Sequence, residues 1–158
     1  MSLPKLYLET TIPSYLTARA SRDLRIAADQ EATLEWWDER RADFDLFISD
    51  TVVREVSKGN PEMAAARIAI LRGVRVLPDT PLANQLTKRL LASRIIPEVA
   101  ADDAAHVALA AAHGMDFLLT WNCTHINNRA IERRIERACA DFGVECPVIC
   151  TPTELMKL

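Results

Sequence analysis

Along this chain, short continuous apolar runs alternate with longer stretches in which apolar residues return every three or four positions. The first pattern suits strands buried on both faces, and the second suits helices that cover a sheet. Leu6, Tyr7 and Leu8 open the series, and their run stops at Glu9. Residues 44–49 (FDLFIS), 74–77, 117–121 and 148–150 read as four more strands.

Helices fill the intervals. Residues 12–18 form a short one, with Pro13 in the first turn, where its missing N–H does no harm, and Thr10 or Thr11 as cap. In 23–41, Ile26, Ala27, Gln30, Leu34 and Trp37 follow helical spacing, with Trp36 and Trp37 as core and rim packing. Asp50 or Thr51 can cap a helix that runs through Val56, and Pro61 begins another that Gly73 closes. Leu82, Leu86 and Leu90 make a core stripe on 80–94. The Ala-rich segment 102–113 (DDAAHVALAAAH) ends at Gly114 and can lie close to the sheet. Residues 127–142 put Ile131, Ile135, Ala138 and Phe142 on one face and Arg129, Arg133 and Arg137 on another, and TPTELMKL holds a last small helix.

Strands alternating with helices predict an α/β fold, a parallel sheet with helices on both faces, in one domain over 1–158. Sites in such sheets lie beyond the carboxyl ends of the strands, where strand order reverses. That rule selects which acids matter.

Composition narrows the function classes. The 158 residues are 49% apolar and 26% charged, a balance that favours a folded protein over a disordered one. A net charge of −3 gives no global attraction to nucleic acid, so a polyanionic substrate would need local arginines or bound cations. No window is long and apolar enough to cross a bilayer, and no signal-like segment opens the chain, so a soluble cytoplasmic protein without membrane contact is expected. Cys123, Cys139, Cys146 and Cys150 contain no CxxC pair and read as reduced thiols.

Four oxygen-bearing residues fall at the predicted carboxyl edge. Glu9 ends the first strand, and a carboxylate there is costly to dehydrate without a cation or a ring of donors. Glu55 sits one turn into the helix after the second strand, Asp103 in the first turn of the Ala-rich helix, and Asn122 directly after the fourth strand. Each alone has an ordinary explanation: a solvated acid, a residue favoured by the helix dipole, a turn. For Asp102 that explanation is the helix N-cap. Together they form an oxygen cluster suited to Mg²⁺ or Mn²⁺, which can activate water, orient a phosphodiester and neutralise a departing oxygen.

YLETTIPSYL, the acid in DTVVREV, DDAAHVALAAAHG and LLTWN, taken in this order over essentially the whole chain, resemble the PIN-domain ribonucleases, especially the VapC-type toxins of toxin–antitoxin pairs. The resemblance implies a three-layer α/β/α sandwich with a mainly parallel sheet, and Mg²⁺- or Mn²⁺-dependent cleavage of RNA. It also implies homodimers and inhibition by a cognate antitoxin. On this pattern Glu9, Glu55, Asp103 and Asn122 are the metal-binding and catalytic positions, and Thr11 is the hydroxyl that supports Glu9. Two departures stand out: Glu9 replaces the usual aspartate, and Asn122 brings a carbonyl oxygen but no charge. His106, on the same helical face as Asp103, and His125, three residues after Asn122, are supporting candidates.

The leading expectation is a metal-dependent endoribonuclease, and the alternative is a PIN-like module that binds RNA or protein after losing catalysis through Asn122. A phosphotransfer domain ranks last, because the first strand ends in Glu9 and offers no DxD for an aspartate nucleophile.

Overall fold

The computed structural model describes residues 2–158. Five strands, β1 (Lys5–Leu8), β2 (Asp45–Ser49), β3 (Arg75–Leu77), β4 (Phe117–Leu119) and β5 (Val148–Cys150), form one sheet in the order β3-β2-β1-β4-β5. Every neighbouring pair is parallel, with Leu6 opposite both Leu46 and Phe117. β1 therefore lies at the centre, and strand order reverses beside it.

Eight helices connect and cover the strands: α1 (Thr11–Thr17), α2 (Leu24–Arg40), α3 (Asp50–Val56), α4 (Pro61–Ile70), α5 (Pro81–Ala92), α6 (Ala101–Ala112), α7 (Arg129–Asp141) and α8 (Pro152–Leu155). The α/β architecture matches the sequence pattern, element by element. None of the helices among the described residues is long and apolar enough to cross a membrane.

The buried core joins the strand residues Leu6, Tyr7, Leu8, Leu118 and Leu119 to Leu86 and Leu90 of α5, Val107 and Ala108 of α6, and Ile135 and Ala138 of α7. In α6 the run from Val107 to Ala111 is buried on all sides, so its small side chains let the helix lie against both sheet and α5. Leu109 is the largest side chain in the middle of that run, and a bulkier sequence could not sit so deep.

Three local expectations are corrected. Asp102 is not the cap of α6: a 3-10 turn, Glu98–Ala100, runs straight into the helix, whose N-cap is Ala100, and Asp102 lies 3.6 Å from Arg54 instead. Helix α3 is capped by Ser49, whose hydroxyl accepts from the Val52 N–H, rather than by Asp50 or Thr51. The buried face of α2 is Gln30, Thr33, Trp36 and Trp37, while Ile26 and Leu34 face solvent. The two indoles decide this rotation, since each covers more apolar area than a leucine. Trp36 goes so deep that its Nε1–H finds no partner.

Candidate metal centre

Glu9 is the first residue beyond β1 and is only 3% exposed. The parallel ladder carries on past the strand, because the Glu9 N–H donates to the carbonyl of Leu119 at 3.1 Å. Its carboxylate Oε1 accepts three hydrogen bonds: from the Thr11 N–H (3.2 Å), the Thr11 hydroxyl (2.5 Å) and the Thr120 hydroxyl (2.7 Å). Oε2 takes none, and no cationic side chain pairs with Glu9 among the described residues. A buried carboxylate held only by neutral donors, with one oxygen left over, is a negative charge without its counter-charge.

Glu55 reaches the same place from α3. Its Oε1 accepts from the Thr10 hydroxyl at 2.7 Å and from His106 Nε2 at 2.6 Å. Thr10 occupies the N-cap position of α1 but makes no side-chain cap; its hydroxyl serves Glu55 instead. Burial acts to raise the Glu55 carboxyl, yet the bond and charge of His106, the Thr10 bond and Lys58 outweigh it and hold it below the ordinary glutamate value.

His106, on α6, is completely buried. Its Nδ1 lies 2.7 Å from the Tyr7 hydroxyl, which lies 2.6 Å from Ser49 Oγ. Because a carboxylate only accepts, the proton between His106 and Glu55 belongs to Nε2. With Nδ1 unprotonated, Ser49 donates to Tyr7, Tyr7 to Nδ1 and Nε2 to Glu55, so each group in the chain is satisfied. Burial acts to lower the imidazole pKa, but the Glu55 bond and the charges of Glu9, Glu55 and Asp103 raise it above the ordinary histidine value. Burial, with Glu9, Glu55 and Asp79 nearby, also pushes the Tyr7 phenol far up despite its bond to Ser49, so Tyr7 remains a neutral hydroxyl.

One ligand atom from each of Glu9, Glu55 and His106 lies within 4.8 Å of the other two. Asp103 stands one helical turn from His106, and its Oδ2 faces His125 Nδ1 at 3.1 Å. Glu55, Asp102, Asp103 and His125 share the wall of an open trough of about 410 Å³ beside the cluster. Asn122 does different work: its Oδ1 accepts from the backbone N–H groups of Thr124 (3.3 Å) and His125 (3.0 Å), so the side chain builds the turn after β4.

Sequence reasoning missed Tyr7, Ser49 and Thr120. Tyr7 sits in an apolar run and Thr120 directly follows one, so their surroundings signal core, and nothing local marks partners 99 and 111 positions away.

The fold defined by this sheet and these flanking helices is PIN-like. No protein-family model and no curated protein matches the chain. Among solved structures it is similar to a chain in the crystal structure of VapBC2 from Rickettsia felis bound to a DNA fragment from their promoter, with a TM-score of 0.54 and 16% identity over 92% of this chain and 97% of that one. At that identity the likeness is one of fold.

Proposed function

We propose that this chain is a metal-dependent endoribonuclease and the toxin of a type II toxin–antitoxin pair. The observation that carries the reading is the unpaired, buried carboxylate of Glu9 meeting Glu55 where strand order reverses. The residues fit a hard dication: the oxygens Glu9 Oε2 and Glu55 Oε2 accept no protein hydrogen bond, and a positive charge is what the site lacks. When bound, Mg²⁺ or Mn²⁺ would supply the charge that draws in a phosphodiester and acidifies water.

The chain's own residues set the geometry. Thr11 and Thr120 fix Glu9; Thr10 and the His106–Tyr7–Ser49 chain fix Glu55. Asp103 Oδ2 holds His125 through Nδ1 at the wall of the trough. The VapBC2 likeness and the sequence resemblance together support an antitoxin partner, and the resemblance supports a homodimer. Glu9→Gln and Asp103→Asn should each abolish Mn²⁺-dependent cleavage of RNA with the circular dichroism spectrum unchanged. Cleavage at the wild-type rate by either variant would overturn the assignment.

Asn122 favours a second reading, in which a PIN-like module binds RNA or protein without cutting. Its carbonyl is already used by two backbone donors and it carries no charge. Asn122→Asp separates the two: an inert wild type and a cleaving variant support the binding module, whereas a cleaving wild type removes it.

A further inference from the structure

Two aromatic rings at the rim of the metal centre have no part in it. Trp121 follows Thr120 and is fixed at three points. Its backbone N–H donates to Thr11 Oγ1 at 2.8 Å, its indole Nε1–H donates to Thr33 Oγ1 at 2.8 Å, and its ring lies on Tyr15. The two ring centroids are 5.8 Å apart and the planes 13° from parallel. Thr11 is also the residue that donates to Glu9, so a single side chain separates the stack from the buried carboxylate.

Tyr15, on α1, is half-buried, and its hydroxyl makes no hydrogen bond within the chain among the described residues. One side of the ring is turned to the indole, and the partial exposure of Tyr15 leaves some of the ring accessible. Tyr7, Trp36, Trp37, Phe44 and Phe47, by contrast, are buried in the core.

We propose that the Tyr15–Trp121 stack is a platform for an unpaired nucleobase, which lies on the exposed part of the Tyr15 ring while the adjoining phosphate is drawn to the dication that Glu9 and Glu55 would hold. The inference rests on the nuclease reading for the position of that phosphate. Its physical basis is separate. The chain is net acidic and the centre is built of carboxylates, so charge alone does not hold an RNA strand here. Base stacking on an aromatic face supplies attraction that needs no positive charge and accepts any base. A ring already clamped on one side loses little side-chain freedom when a base covers the other. Only unstacked bases can use such a surface, so the substrate class is single-stranded RNA rather than duplex.

The test is fluorescence anisotropy of the full chain with a labelled short oligouridine in EDTA, where binding is read without hydrolysis. Tyr15→Leu keeps apolar bulk but loses the π face, and should weaken binding about tenfold. Tyr15→Phe keeps the ring and should bind as the wild type does. Moving a single abasic site along the oligonucleotide should locate one position that weakens wild-type binding by a similar factor, and Tyr15→Leu should be indifferent to that same lesion. That coupling distinguishes a platform from a residue that merely braces α1. The proposal is overturned if Tyr15→Leu binds as tightly as the wild type, if abasic penalties are the same in both proteins, or if the wild type binds no strand.

Parallel Mn²⁺ cleavage assays keep the two ideas apart. A wild type that cleaves but binds independently of Tyr15 loses the platform and keeps the nuclease. One that never cleaves but shows the Tyr15–abasic coupling keeps the platform and loses the nuclease.

Discussion

Thr120 donates its hydroxyl proton to Glu9 Oε1 at 2.7 Å, bridging β4 and β1 across the point where strand order reverses. Thr120 Oγ1 in turn accepts from the Asn122 N–H at 2.9 Å, so one side chain ties the carboxylate to the turn beyond β4. Thr120→Val keeps the shape and removes both bonds. A bond to a buried charged group is worth about 1.5–3 kcal/mol, so the variant should lose about 2 kcal/mol in urea denaturation, with Thr120→Ser recovering most of it. An unchanged urea midpoint for the valine variant would show that the hydroxyl does not support Glu9.

Tyr7 links the sheet to His106 in the same way. Tyr7→Phe leaves Nδ1 of a completely buried imidazole without its partner and should cost about 1–3 kcal/mol of stability. Thermal unfolding followed by circular dichroism reads this directly. A melting temperature equal to that of the wild type would mean that the imidazole finds another partner.

Much of the fold is legible because the strands are short, mostly apolar and bounded by helix caps, and the acids at their ends stand out against them. What stayed hidden depends on long-range pairing. Thr10 reads as a helix cap, yet its hydroxyl goes to Glu55, 45 positions away. On α2 the structure buries Gln30 and Trp37 of the expected set but not Ile26 and Leu34, because periodicity weighs these like any other apolar residue, whereas burial follows the larger area of Trp36. The cap of α6 lies at Ala100 rather than Asp102, and the 3-10 turn before the helix that puts it there leaves no mark on an acidic pair such as Asp102 and Asp103. In the candidate site, Glu9 and Glu55 could be placed by strand order alone, but the hydroxyls that hold them could not.

Metal addition tests the cluster without any RNA. Clustered acids repel one another, so a dication that binds only the native state should raise the melting temperature. At about a hundred times its dissociation constant, the gain is about 2.7 kcal/mol. Millimolar Mn²⁺ should stabilise the wild type and leave Glu9→Gln unaffected in differential scanning fluorimetry. An equal response in both proteins would remove Glu9 from the site.

Acid sensitivity should come in part from the C-terminus. Glu154 Oε1 accepts from Asn127 Nδ2 (2.8 Å) and from the Thr151 N–H (3.1 Å), closing the capping box of α8 onto the loop before α7. Burial acts to raise this carboxyl, but the Asn127 and Thr151 bonds and the charge of Arg129 outweigh it, so the folded pKa lies below the ordinary value. A depressed carboxyl contributes stability above its unfolded pKa of about 4.3 and loses it as pH falls through the folded value. The stability gap between wild type and Glu154→Gln should therefore be widest near neutrality and close on acidification. A gap that stays constant down to the acid range would rule this out.

The central position of β1 also fixes the order in which the site can come into being. β1 is made before both of its neighbours, β2 and β4, and β4 begins only at Phe117. Glu9 emerges early but gains Glu55, then His106, then Thr120, as synthesis proceeds at roughly 5–20 residues per second. A nascent chain that stops short of Thr120 has its acids but no closed frame to hold them, so the centre matures only once β4 has joined β1.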